Sequence, residues 1–291
     1  MNNNPQPPAL LLIGHGSRDA EGIGEFHRMA ERLFAALPGR LCVSSFLELT
    51  EPSLREGVAQ LSRRGATTIT ALPVMLMAAG HIKNDIPAEL ETIQAEHPEV
   101  SIPLGPDLGV HPALLQAARE RIEAGEAAFG SGYSRRDALL LVIGRGSSDP
   151  DANSNLAQIT RLLWETMGFG WAETAYCAVT PPSVAAALER VHGLNFNYRL
   201  VFPYVLFGGR VIQQICTALG DSRRLHPEIQ VAMAPYLNDH PLVVQALIER
   251  LRQAEAGQGV MNCPLCQYKE PIIGYEHRYR MPRAGQHHHD A

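Results

Sequence analysis

Apolar residues along this chain follow two alternating rhythms. Short continuous runs predict buried strands: ALLLI (9–13), LCVSSFL (41–47), TTITALPVML (67–76) and VSIPL (100–104). Between them the apolar spacing lengthens to three and four. Ile23, Phe26, Met29, Ala30, Leu33, Phe34 and Leu37 predict an amphipathic helix that Pro38-Gly39 stops. A second predicted helix runs from about Ser53 to Arg64 and ends at Gly65. Alternating strands and helices predict an α/β fold, with a parallel sheet covered by helices on both faces.

The pattern is then written a second time. LLLIGHGSRD (10–19) matches LLLVIGRGSSD (139–149), and FLELTEPSL (46–54) matches YCAVTPPSV (176–184). LPVMLMAAGHIKNDI (72–86) matches FPYVLFGGRVIQQI (202–215) with one residue fewer, and HPEVSIPLGPDLGVHPALLQA (97–117) matches HPEIQVAMAPYLNDHPLVVQA (226–246). A period of about 130 residues is too long for a solenoid and implies two similar domains. The predicted organisation is a first domain over 1–123, a small polar linker over 124–137, a second domain over 138–256, and a tail over 257–291 that matches neither copy.

Composition narrows the class. The 291 residues are 45% hydrophobic and 19% charged, with a net charge of −5. That is an ordinary globular balance, and it argues against a nucleic-acid binder with a basic face. No apolar run reaches the ~18 residues of a membrane span, and the N-terminal stretch lacks the basic start of a signal peptide. The expectation is a cytoplasmic protein without a membrane partner. Five scattered cysteines (Cys42, Cys177, Cys216, Cys263, Cys266) form no disulfide framework and suit a reducing compartment.

Where the copies differ, one copy holds something the other lacks. Gly14, Gly16 and Ser17 recur as Gly144, Gly146 and Ser147, but His15 becomes Arg145. Gly80 recurs as Gly209, but His81 becomes Arg210. Thr50, Pro52 and Ser53 recur, but Glu48 becomes Ala178, and Asp107 becomes Tyr236. His15, Glu48 and His81 all fall at or after the C-terminal ends of predicted parallel strands, where open α/β sheets bind ligands. Two imidazoles and a carboxylate there suit a divalent transition metal. One Gly-His dipeptide would be weak evidence; two, both replaced by arginine in the other copy, are specific. His97 and His226 recur in HPE, and His111 and His240 recur before proline as helix starts, so these four read as structural. Arg145 and Arg210 would suit a substrate rich in carboxylates. A hydrolase built on Ser17 is disfavoured, because the chain has no G-x-S-x-G elbow there and Ser17 recurs in the copy without the histidine.

LLLIGHGSRD, FLELTEPSL and LPVMLMAAGHIKNDI resemble the class II tetrapyrrole chelatases, specifically the long-form sirohydrochlorin cobaltochelatases of the CbiX family. The resemblance covers about residues 10 to 250. It implies two duplicated Rossmann/flavodoxin-like domains with parallel four-stranded sheets and an active-site cleft between them. It also implies a lyase-type metal chelatase, with His15 and His81 as the metal-binding catalytic histidines and Glu48 as the acidic residue of the site. The substrates would be sirohydrochlorin and a divalent metal: Co²⁺ toward cobalamin, with Fe²⁺ toward siroheme or Ni²⁺ as alternatives. A monomer or weak homodimer is expected, since the second domain stands where short forms use a partner subunit. Activity should fall at low pH, because protonated imidazole can neither bind metal nor take a proton.

The tail holds Cys263-x-x-Cys266, His277 and His287, His288 and His289. CxxC is half of a four-ligand metal site. MNCPLC also resembles the MxCxxC segment associated with an iron–sulfur cluster in some long-form relatives, although such a cluster usually takes four thiolates. A non-enzymatic alternative is a metallochaperone or metal store using this tail and the cleft.

Overall fold

The computed structural model describes residues 7–259 and 266–281. Two parallel sheets organise it, one from each repeat. The first contains β1 (Ala9–Gly14), β2 (Cys42–Phe46) and β3 (Ile69–Pro73), in the order β2-β1-β3. Its connections carry α1 (Ala20–Ala35) and α2 (Leu54–Arg63); a π-helical turn (His81–Asp85) leads into α3 (Ile86–Glu96), and α4 (Pro112–Glu126) follows. The second sheet contains β4 (Ala138–Gly144), β5 (Trp171–Tyr176), β6 (Tyr198–Pro203) and β7 (Gln230–Met233), in the order β5-β4-β6-β7. Helices α5 (Pro150–Met167), α6 (Val184–Arg190) and α7 (Arg210–Leu225) connect these strands, and α8 (Pro241–Glu255) follows β7. The inner strands β1 and β4 are buried along their whole length. That explains why ALLLI and ALLLVI run unbroken instead of alternating.

The first sheet has three strands, where four were expected. VSIPL still lies alongside β3, through bridges of Thr68 to Ser101 and Ala71 to Leu104. Ser101 donates to the Thr67 carbonyl at 2.9 Å and Gly105 to the Ala71 carbonyl at 2.7 Å. The rung between them belongs to Pro103, which has no N–H to donate. The matching residue of the second copy is Ala232, inside β7, and there the fourth strand forms.

Local capping fixes the helix starts. Asp19 accepts hydrogen bonds from the Glu21 and Gly22 amides to begin α1, and Asp149 does the same for α5 through Asp151. Ser53 and Glu56 form a reciprocal capping box on α2. His111 and His240 each place Nδ1 on an amide of the following turn, at 3.1 and 3.3 Å, as helix starts should. His97 and His226 occupy the C-caps of α3 and α7.

The repeats and the compact units are different partitions of the chain. One unit comprises the described residues up to Gly109 and those from Val244 onward; the other is Val110–Val243. The helix that closes each repeat is therefore built into the other repeat's unit. In the first unit, Arg250 of α8 donates from Nε and Nη2 to the Leu108 carbonyl at 3.2 and 2.6 Å, and Arg40 pairs with Glu255. In the second, the matching Arg121 of α4 donates to the Leu237 carbonyl at 3.0 Å. Among the described residues no helix is long and apolar enough to cross a membrane.

Candidate active site

The site grows from one end of the first sheet. His15 follows the last residue of β1, Glu48 lies two residues past β2, and His81 opens the π turn beyond β3. Parallel strands end on the same edge, so three segments distant in sequence meet there. The loop after β1 must lie against the loop after β2, and backbone bonds tie them: Leu47 donates to the Gly14 carbonyl at 2.9 Å and Glu48 to the His15 carbonyl at 3.1 Å. Gly16 has φ +91°, and a Cβ on it would stand 1.7 Å from the Glu48 carbonyl oxygen. Only glycine fits. Gly146 repeats the geometry against Ala178, so this glycine serves the turn and not the chemistry.

His15 Nε2 and His81 Nε2 lie 3.0 Å apart, with the rings edge-on at 85°. Two nitrogens about 2.1 Å from a shared ion and 90° apart would be about 3.0 Å from each other. The pair is thus set for one ion with little movement. Glu48 Oε1 is 3.6 Å from His15 Nδ1. His15, Glu48 and His81 present ligand atoms within 4.8 Å of one another, and all three remain partly exposed.

The second nitrogen of each ring also has a partner. His81 Nδ1 donates to Asp85 Oδ2 at 2.7 Å. That bond fixes the tautomer and leaves the Nε2 lone pair facing the site. Both nitrogens of His15 face acceptors: Nδ1 faces the Gly16 carbonyl at 3.1 Å and Nε2 faces that lone pair of His81. Both Nε2 atoms therefore turn toward one point between the rings.

Asp85 was not singled out from the sequence. The signal was available: it stands four residues after His81, and Gln214 takes its place in the second copy. The π turn also revises one pairing. Helical conformation begins at Gly80 in the first copy and at Arg210 in the second, each the same distance past its strand-ending proline. Gly80 is itself helical (φ −46°), whereas Gly209 has φ +106°. The extra residue of the first copy sits in the π turn, so Arg210 matches Gly80 by backbone position. A π turn accommodates such an insertion and is frequent at functional sites.

Asp107 supports the loop that leads to His81. It is buried, and its Oδ2 accepts from the Ala78 amide at 2.9 Å. Burial pushes its carboxyl up to about 6, against the opposing pull of Arg250, the Ala78 amide and Lys83. The described part of the tail also reaches this region: the Tyr268 hydroxyl lies 3.8 Å from where a Cβ on Gly80 would stand.

Among the described residues, the other sequence candidates join no ligand group with His15, Glu48 and His81. Arg145 and Arg210 are exposed residues of the second unit, and Arg210 lines a shallow groove with Gln213, Gln214, Thr217 and Asp221. Cys266 is buried, and among the described residues it joins no group of three metal ligands. Cys263, His287, His288 and His289 lie outside the described residues.

Sirohydrochlorin cobaltochelatase of Priestia megaterium is 34% identical over 266 residues, covering 91% of this chain and 86% of that protein. Sirohydrochlorin ferrochelatase of Bacillus subtilis is 29% identical over 251 residues, covering 85% and 92%. The solved structure of SirB from Bacillus subtilis with Fe³⁺ superposes with a TM-score of 0.77 at 28% identity, covering 88% of this chain and 99% of that one. The sequence model of the CbiX family matches twice, over residues 9–125 and 139–254. The chain belongs to the CbiX family, as two fused copies of its domain.

Proposed function

We propose that this protein is a sirohydrochlorin chelatase that inserts Co²⁺ into the macrocycle, the step that leads toward cobalamin. The observation that carries this reading is the facing pair of His15 Nε2 and His81 Nε2 at 3.0 Å, with Glu48 beside one ring and Asp85 behind the other. The reaction makes two demands. The metal must be held in an incomplete shell that can release it, and two pyrrole N–H protons must leave as it enters. His81, with its lone pair fixed by Asp85, answers the first. His15, with Glu48 3.6 Å from Nδ1, answers the second as proton acceptor and relay to solvent. An ion can enter between the two Nε2 atoms only when no proton sits there, so proton release and metal capture compete for one pair of rings.

Cobalt is favoured over iron because the 34% relative is a cobaltochelatase and the 29% relative a ferrochelatase. Exposed Arg145 and Arg210 would hold carboxylates of the macrocycle. An iron–sulfur cluster on Cys263 and Cys266 would need ligands beyond these two thiolates, and no step of the reaction uses it.

The test is purified protein with sirohydrochlorin and Co²⁺, Fe²⁺ or Ni²⁺, followed by absorbance. Co²⁺ should be inserted fastest; preference for Fe²⁺ would make the protein a ferrochelatase. His15→Ala and His81→Ala should abolish insertion, and Asp85→Asn should lower turnover about 10- to 100-fold. Replacing Arg145 and Arg210 with glutamine should raise KM for sirohydrochlorin more than it lowers kcat. Full activity in both histidine variants would overturn the reading.

A further inference from the structure

The second unit carries a polar cluster that the first lacks. The helix caps Ser53 and Ser183 and the strand-ending Pro73 and Pro203 fix the register between the copies. In that register Ala59 becomes Glu189, Ser62 becomes His192 and Ile69 becomes Arg199. His97 and Glu99 recur as His226 and Glu228. In the first unit these positions hold a Ser62–Glu99–His97 contact, with Glu99 3.4 Å from the serine hydroxyl and 3.3 Å from the imidazole. The second copy puts an imidazole where that serine stands.

The result is a new set of ligand atoms. His192 and His226 stack with centroids 3.8 Å apart. His226 Nδ1 is 3.7 Å from Glu228 Oε1, and its Nε2 is 3.7 Å from Glu189 Oε2. One ligand atom from each of His192, His226 and Glu228 lies within 4.8 Å of the others. We propose that His192, His226 and Glu228 form a second binding site for a divalent transition metal, separate in sequence and in unit from the His15–His81 pair.

The charge balance permits it. Arg199 is buried in β6, and its Nη2 lies 3.4 Å from His192 Nδ1. A buried guanidinium where the first copy has isoleucine is a costly substitution that packing alone does not favour. Arg199 faces the charges of Glu189 and Glu228, so two carboxylates outweigh one guanidinium before an ion arrives. Because Arg199 can only donate, the Nδ1 lone pair of His192 points toward it, at the length of a weak hydrogen bond. An entering ion takes that lone pair in place of a long hydrogen bond. Two imidazoles and one carboxylate select Co²⁺, Ni²⁺, Cu²⁺ or Zn²⁺ over Mg²⁺ or Ca²⁺. The ion would tie the short 3₁₀ turn that carries His192 (Val191–Leu194) to the end of α7.

Calorimetric titration of the full chain with Ni²⁺ tests this. His192→Ser restores the first copy's residue, and Glu228→Gln alters an exposed side chain. His192→Ser should remove one equivalent of bound Ni²⁺, and Glu228→Gln should weaken that same equivalent about tenfold, while metal insertion at saturating metal stays at the wild-type rate. Unchanged stoichiometry and affinity in Glu228→Gln, whose exposed position leaves the fold intact, together with no lost equivalent in His192→Ser, would overturn the proposal.

Discussion

At the scale of single residues, the site depends on groups that never touch the metal. Asp85 selects the tautomer of His81, and Asp107 holds the Ala78 amide two residues before Gly80. Asp107 also sets a pH dependence whose sign follows from burial. Its carboxyl in the folded protein is pushed up to about 6, above the ordinary range of an aspartate in an unfolded chain. The folded state therefore holds this proton more tightly. Its contribution to stability is fully present below about pH 4, declines as pH rises toward 6, and is lost above that. The size is about 3 kcal/mol at most. Asp107→Asn stays neutral and can still accept from the Ala78 amide. Relative to wild type, it should gain stability on going from pH 4.5 to pH 7.5, as measured by urea unfolding. A stability difference that is the same at both pH values would show that Asp107 does not titrate in this window.

At the scale of elements, the strand-end turn and the π turn place the histidines by opposite means. The first is rigid and tolerates no side chain at Gly16, where φ is positive and the Glu48 carbonyl fills the space. The second lodges an extra residue in a helix start, and Gly80 there is helical, with room for a Cβ at an ordinary 3.8 Å contact with the Tyr268 hydroxyl. Gly16→Ala should therefore lower the melting temperature by several degrees and cost most of the insertion activity, because His15 is the neighbouring residue. Gly80→Ala should melt within a degree or two of wild type or above it, since alanine favours a helix. Equal losses in the two variants would contradict this account. These elements also show what the sequence could convey. GHGS and GRGS exposed the turn and its variable residue because each requirement is local. The π turn escaped, because an inserted residue looks the same in a linear alignment whether it lengthens a loop or swells a helix. The missing strand was legible in Pro103, but an apolar run of five outweighs one proline when only periodicity is read.

At the scale of the whole molecule, the duplication was plain in the sequence and the exchange of closing helices was not. The two repeats match along their length, and nothing in the match says which unit a terminal helix packs into. Arg121 and Arg250 are equivalent residues making equivalent bonds to Leu237 and Leu108; the same contact could close within a repeat or across it. The structure chooses the exchange, with α4 in the unit Val110–Val243 and α8 in the unit that carries His15 and His81. Each compact unit is thus assembled from both sides of the stretch between α4 and β4. A protease site introduced between Gly130 and Gly132, both at or near the surface, gives a direct test. After cutting, the fragments ending near 131 and beginning there should elute together in native buffer and separate only in denaturant. The nicked protein should also keep its insertion activity, because no residue of the His15, Glu48, His81 and Asp85 site lies near the cut in sequence. Fragments that separate without denaturant would mean that each repeat closes on its own helix, and the pairing of Arg250 with Leu108 would then have no part in holding the loop behind His81.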